Sequence, residues 1–215
     1  MGQEIDLLKN YPKAKRNLEE RAASKSDFDR AIARKFGREF FDGDRNHGYG
    51  GFNYMPRFWQ PVIPTFKEHW NLTAESSILD VGCAKGFMLH DLTTLIPGIT
   101  VKGVDISNYA IKNTMDDMVP HTQVANATEL PFPDNAFDVV ISINTVHNLD
   151  LGQCGRALQE VERVSRGKSF ITVDAYRNEE EKERMYAWNL TAKTIMSVDE
   201  WIKYFKEVNY NGDYF

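Results

Sequence analysis

Cysteine is scarce: the 215 residues hold only Cys83 and Cys154. One falls in a glycine-flanked turn and the other at a helix start, so no disulfide framework is expected. Two free, buried thiols in a reducing compartment are. Long apolar runs are missing as well. Nothing approaches the ~18 residues of a membrane-spanning helix, and the opening MGQEIDLLKN lacks the apolar core of a signal peptide. Asp6 stands where a myristoylation signal needs Ser or Thr. Positive charge is not in excess. A net charge of -5 gives no general pull toward nucleic acid or anionic lipid, and no basic appendage suited to RNA is present. No His/Cys/Asp group has metal-ligand spacing, so no metal is expected. These absences leave a soluble, cytoplasmic protein whose partners are neither nucleic acid nor membrane.

What is there is organised around residues 78–92, ILDVGCAKGFMLHDL. Ile78 to Val81 read as the end of a buried parallel strand. Gly82 and Gly86 make a turn, and a helical pattern follows to Leu95. A strand that breaks at glycine into a helix brings backbone N–H groups and a positive helix end near whatever lies above the turn. The dinucleotide pattern G-x-G-x-x-G fails here, because Ala84 and Phe87 occupy the second and third glycine positions. A phosphate-binding P-loop fails too, since Lys85 is followed by Gly86.

Strands and helices then alternate. Strands are expected at about 77–82, 100–105, 121–125, 137–143 and 168–174, with helices at about 85–96, 107–118 and 152–165. Alternation of this kind argues an α/β fold: a Rossmann-like, doubly wound, mainly parallel sheet of six to seven strands. A charged helix at 178–190 and a helix capped by Ser197 follow, and Asn211-Gly212 turns the chain into a last extended piece, 213–215. Residues 1–70 read as an N-terminal helical lid with a Gly/aromatic loop, set on a core of 71–215. In the extension Leu18, Ala22 and Ala23 mark a weak apolar face. Phe28, Ile32, Phe36 and Phe40 recur at a spacing of four, as packing or as the inner face of a lid. The loop 42–59 mixes Gly43, Gly48, Gly50 and Gly51 with His47, Tyr49, Phe52, Tyr54 and Trp59. A helix at 58–70, with Pro61 in its first turn and Pro64 as a possible kink, leads to the core.

The core resembles the class I, Rossmann-like methyltransferases dependent on S-adenosylmethionine (SAM), in their small-molecule branch. An acidic residue and glycines spaced D/E-x-G-x-G-x-G appear as Asp80, Gly82, Ala84 and Gly86, with Ala for the middle Gly. An acidic residue ends strand two as Asp105. Asn126 to Phe132, with Ala127 and Thr128, match a G-D-A-x-x-L-P-F-like loop, Asn replacing Asp. Phe137, Asp138, Val140 and Ser142 match the next signature, and Glu160, Arg163 and Val164 a fifth. The resemblance covers about 77–176.

It implies SAM as cofactor and S-adenosylhomocysteine as product. The implied binding residues are Asp80 toward the ammonium, the turn Gly82, Cys83, Ala84 and Gly86, Asp105 on the ribose, Ile106 on the adenine face, Asn126, Ala127 and Thr128 around the adenine, and Asn144. Asp138 begins strand four, far from the ligand end, and is expected to be structural. For the transfer itself, His147 at the end of strand four is the candidate general base. His47 and Tyr49 stand second, and Tyr49 or Tyr54 could present a ring to the sulfonium. The expected reaction is methyl transfer to O or N of a small polar metabolite. A sugar is suggested by Asp44, Arg45, Asn46 and His47. A SAM-binding partner subunit without transferase activity is the alternative. The short stretch after Gly212 leaves a sheet edge for a partner, which would favour a homodimer.

Overall fold

The structure is a computed structural model, and it describes residues 2–12, 26–49 and 53–215. The expected face of Leu18, Ala22 and Ala23, and the loop residues Gly50, Gly51 and Phe52, lie outside the described residues.

Six strands form one sheet: β1 (Ser77–Val81), β2 (Thr100–Asp105), β3 (Thr122–Val124), β4 (Val139–Ile143), β5 (Ser169–Thr172) and β8 (Asp213–Tyr214). Their order is β3-β2-β1-β4-β5-β8, and every pairing is parallel. The order reverses between β1 and β4, and that switch point is where open α/β sheets place a ligand. Side chains alternate between two cores along each strand. Ile78, Val139, Ile141 and Phe170 join one, while Leu79, Val140 and Ile171 join the other. The first core packs α4 (Ile63–Trp70) and α5 (Phe87–Leu95) on the sheet, and the second packs α7 (Leu151–Val164) and α9 (Val198–Glu207). Cys83 belongs to the first core and Cys154 to the second, and both are free.

Proline and side-chain caps set several boundaries. The helix expected over 58–70 is two: α3 (Pro56–Trp59) and α4, with Pro64 in the first turn of α4, where its missing N–H costs nothing. The helix expected over 107–118 is only α6 (Asn108–Lys112), capped by the Ser107 hydroxyl. A 3-10 turn, Asp116–His121, containing Pro120 follows it. The Phe28–Phe40 stripe is not one helical face. α1 (Asp27–Ala33) ends, Phe36 adopts a left-handed φ of 48°, and α2 (Arg38–Phe41) starts after it. Phe28 therefore points to solvent at 71% exposure, while Phe40 is buried.

Beyond β5 the chain makes β6 (Ala175–Tyr176), α8 (Glu179–Trp188) and β7 (Met196–Ser197); β6 and β7 pair as a separate two-stranded sheet. The edge beside β8 is met by the chain's own N-terminal segment. Ile5 N–H donates to Tyr214 O at 2.9 Å and Tyr214 N–H to Gln3 O at 3.1 Å. The edge that suggested a dimer is thus occupied from within the chain. Among the described residues no helix is long and apolar enough to cross a membrane.

The remaining sequence signatures act as struts. Asp138 accepts from Ser77 N–H and Oγ–H at 2.8 Å each and pairs with Arg166, at the end of the sheet away from the ligand. Glu160 and Arg163 clamp the loop that carries Asn126: Leu130 N–H donates to Glu160 at 2.7 Å, and Arg163 donates to the carbonyls of Leu130 and Phe132.

Candidate functional site

A cavity of about 620 Å³ opens above the carboxyl ends of β1, β2 and β4. That is ample for a nucleoside-sized ligand and leaves room for a second reactant. Of the residues singled out from the sequence, Tyr49, Gly82, Ala84, Asp105, Ile106, Asn126, Ala127, Asn144 and His147 line it. Asp80, Cys83, Gly86, Thr128, His47 and Tyr54 do not.

The turn after β1 is held in an unusual backbone state. Gly82, Ala84 and Gly86 have φ of 91°, 48° and 77°. Glycine adopts such angles freely, whereas Ala84 sits there at a steric cost. Gly82 is fixed by space as well, since a Cβ on it would come 2.0 Å from Thr145 Oγ1. The turn's amides serve the fold rather than a ligand. Gly82 and Cys83 N–H both donate to Val104 O, and Gly86 N–H donates to Cys83 O. Ala84 N–H donates at 2.9 Å to Asp105, whose other carboxylate oxygen accepts from Ser107 N–H at 2.8 Å. Two bonds leave lone pairs of Asp105 facing the cavity. The Cys83 thiol is buried in the α5 core, which takes its side chain away from the cavity.

Asp80 is 5% exposed. Burial, and then the charge of Asp105, push its carboxyl up to about 8. Burial also raises Asp105, against the pull of its two amide donors. Two neighbouring carboxyls with raised pKa and, among the described residues, no cation between them suit a ligand that brings its own positive charge. Beside them Ile106 is 53% exposed over the cavity, an apolar surface free for a flat ring. Asn126 accepts from Thr128 N–H through its side-chain oxygen at 3.0 Å. It is therefore a turn residue that keeps one lone pair and its amide hydrogens for a ligand.

At the ends of β4 and β5 the polar groups converge. Asn144 has a left-handed φ of 53° and exchanges bonds with Thr172: its N–H donates to Oγ1 at 2.9 Å, and its Oδ1 accepts from that hydroxyl at 3.0 Å. Asn148 donates to Asn144 O, and its own Oδ1 is buried without a partner. His147 is buried; its Nδ1 accepts from Asp174 N–H at 3.0 Å, and its Nε2 lies 3.9 Å from Asp174 Oδ2. Burial lowers the pKa of His147, with the Asp174 charge opposing. A neutral ring whose Nδ1 is an acceptor carries its proton on Nε2. Tyr49 O accepts from Leu190 N–H at 2.9 Å and Thr191 N–H at 3.3 Å. Burial raises its phenol despite those bonds, and the Asp174 charge adds to the rise.

Several residues of the site carried little or no signal in the sequence. Arg34, Phe36, Phe40 and Phe41 come to the cavity from the turn after α1 and from α2, and Trp188, Thr191 and Lys193 come from α8 and the segment after it. The two segments are tied together: Arg30 donates to Asn189 O at 3.1 Å and Arg34 to Ala192 O at 3.3 Å. They are also tied to the sheet. Lys85 reaches Asp42 at 2.7 and 2.8 Å, Tyr109 O–H donates to Asp42 at 2.7 Å, and Ser107 O–H donates to Phe36 O. The Phe spacing held part of this signal; the ionic latch to Asp42 held none.

Position removes two candidates from the cavity. His47 pairs with Asp29 at 3.2 Å, and Tyr54 donates to buried Asp91 at 2.7 Å. Asp44, Arg45 and Asn46, which suggested a sugar, are exposed and outside the cavity. Among the described residues no group of three His, Cys, Asp or Glu is placed to hold a metal.

Residues 79–173 match the family model described as a methyltransferase domain. Over 148 residues the chain is 28% identical to the 27-O-demethylrifamycin SV methyltransferase of Amycolatopsis mediterranei, covering 63% of this chain and 54% of that protein. Over 87 residues it is 32% identical to a mitochondrial arginine-hydroxylase of Rattus norvegicus, covering 40% of this chain and 24% of the relative. The chain thus spans about half of the first relative and a quarter of the second. In fold it is similar to the YcgJ protein of Bacillus subtilis, with a TM-score of 0.55 at 20% identity over 68% of this chain and 66% of that one. Residues 79–173 are a methyltransferase domain of the class I, Rossmann-like kind, and methyltransferases of this kind take their methyl group from SAM.

Proposed function

We propose that this chain, built on a class I methyltransferase domain, transfers a methyl group from SAM to an oxygen or nitrogen of a small molecule. One observation carries the reading. A single cavity receives the Asp105 carboxylate from β2 and the His147–Asp174 pair from the ends of β4 and β5. The first is suited to a ribose, and the second to a hydroxyl or amine that must lose a proton. The rifamycin relative, named for an O-methylation of a small molecule, supports the acceptor class.

SAM supplies a methyl group carried on a positively charged sulfur. Asp105 accepts the two ribose hydroxyls with the lone pairs left by Ala84 and Ser107. Ile106 and Ala127 flank the adenine, and Asn126 meets its polar edge. Asp80 supplies negative charge toward the ammonium from beneath the turn. Asn144 lines the space beyond, held in its strained conformation by Thr172.

The proton step falls to Asp174 rather than His147. A histidine that already accepts an amide at Nδ1 and holds a proton at Nε2 has no lone pair to offer. His147 then donates from Nε2 and orients the acceptor atom, while the Asp174 carboxylate takes the proton that this atom loses. Tyr49, whose oxygen is engaged by two amides, keeps its own proton for a second hydrogen bond to the acceptor.

Calorimetric titration with S-adenosylhomocysteine, paired with transfer of labelled methyl from SAM to a panel of phenols, alcohols and amines, tests this. Micromolar binding and label transfer abolished in Asp174→Asn are expected. Binding with no transfer would leave a SAM-binding partner subunit, and absence of binding would end the reading altogether.

A further inference from the structure

A second cavity of about 350 Å³ adjoins the first and shares Leu8, Asn144 and Asp174 with it. The shared residues include the carboxylate to which the proton step was assigned. Any acceptor whose reacting atom lies against Asp174 therefore has an opening beside it.

The walls of this second space are mainly apolar: Val173, Met185, Val198, Trp201 and Phe205 among them. Apart from the Asp174 carboxylate, several of its polar groups are already engaged. Thr172 O–H donates to Asn144, Trp201 Nε1–H donates to Asp174 O at 2.9 Å, and Arg177 pairs with Glu4 at 2.9 Å. A ligand entering here gains apolar contact and finds few groups asking for a hydrogen bond.

We propose that the second cavity is a subsite for an apolar arm of the methyl acceptor, which is therefore amphipathic. Its hydroxyl or amine sits at Asp174 in the first cavity, and an alkyl or aryl substituent runs past Asn144 toward Met185 and Phe205. The inference rests on the methyltransferase reading for the identity of the arm's owner, while the subsite stands on its own geometry.

The probe is a series of 4-alkylphenols from 4-methylphenol to 4-octylphenol, titrated into the full chain with and without saturating S-adenosylhomocysteine. Affinity is expected to rise by up to about fourfold per methylene until the cavity is full, the equivalent of ~0.8 kcal/mol per buried CH₂. Met185→Trp fills the cavity from α8 and should flatten that dependence beyond 4-methylphenol without changing the affinity for S-adenosylhomocysteine. Val198→Phe, from the opposite wall, should do the same, so a local misfold in one variant does not decide the outcome. Equal affinity along the series, or an unchanged slope in both variants, overturns the subsite. Failure of S-adenosylhomocysteine to bind counts against the methyltransferase reading alone, because the titration without it still measures the cavity.

Discussion

The floor and the roof of the cavity are built on opposite electrostatic plans. The floor, made of the strand ends and the turn 82–86, holds Asp80 and Asp105 with pKa values raised by burial and, among the described residues, with no cation to settle them. The roof, residues 26–49 and 187–194, holds Asp42. Burial raises that carboxyl as well, but the bonds from Lys85 and Tyr109 and the Lys85 charge outweigh it and leave the pKa lowered. The floor is an unfinished set of charges that a cationic ligand completes; the roof is finished without one. Under the proposed function, ligand-binding energy is stored in the floor, and the roof sets how the ligand enters and leaves.

The most severe way to break this contrast is Gly82→Val. The new side chain would meet Thr145 within 2.0 Å at a φ of 91°, so both overpacking and backbone strain apply. A loss of about 3 kcal/mol in urea unfolding is expected, together with loss of S-adenosylhomocysteine binding. Next is Asp105→Ala, which removes the proposed ribose acceptor but not the sheet. Two hydrogen bonds to a charged group at ~1.5 kcal/mol each predict about a 100-fold weaker affinity by calorimetry, with an unchanged circular dichroism spectrum. If Asp105→Ala bound normally, the floor would not be the cofactor site.

Lys85→Met tests the other side. It cuts the latch to Asp42 and should leave the sheet's protection from hydrogen exchange intact while residues 38–49 exchange faster. The dissociation rate of S-adenosylhomocysteine should rise about tenfold. If affinity fell as far as in Asp105→Ala, roof and floor would be one unit and the contrast would be wrong.

The two plans also respond to pH with opposite signs. Asp80 releases its proton near 3.8 when unfolded and only at about 8 when folded. Its contribution favours the fold at low pH and is lost as pH rises through about 8. Asp42, lowered from 3.8, contributes above that value and loses its contribution as pH falls through its folded pKa. Unfolding of the free protein between pH 6 and 9 should therefore show stability declining with pH. Asp80→Asn should flatten the decline, and S-adenosylhomocysteine should offset it by drawing the proton off Asp80. An equally steep decline in Asp80→Asn would place the titrating group elsewhere.

The contrast also explains what was legible from residues alone. The floor is local: Asp80, Gly82, Ala84 and Gly86 sit within seven positions, and β1 and α5 follow from a short buried run that breaks at glycine into a helical period. Its carboxylate partner Asp105 ends the very next strand. The roof is non-local. Arg30 and Arg34 reach partners almost 160 residues away, and the apolar stripe that hinted at a lid is broken at Phe36, whose left-handed turn no spacing rule anticipates. His147 fell between the two. Its place at the end of β4 was readable, but the Asp174 amide that fixes its tautomer, on which the proposal of Asp174 as base rests, was not.

Ala84→Gly gives the smallest expected effect and the finest cut between the two regions. The residue belongs to both: its backbone is part of the floor's turn, and its methyl packs with the roof cluster of Phe36, Phe40 and Tyr49. In the floor, glycine removes a left-handed strain of about 1–2 kcal/mol and costs about 0.5–1 kcal/mol in backbone entropy, so unfolding stability should stay level or rise by up to about 1.5 kcal/mol. In the roof, the lost methyl contact weakens closure, so S-adenosylhomocysteine should dissociate about threefold faster from a protein that is no less stable. Stability and dissociation moving apart in one substitution is the behaviour that separately built regions require. If both fell together, the turn and its cover would share one energetic origin, and Ala84 would be a packing residue and nothing more.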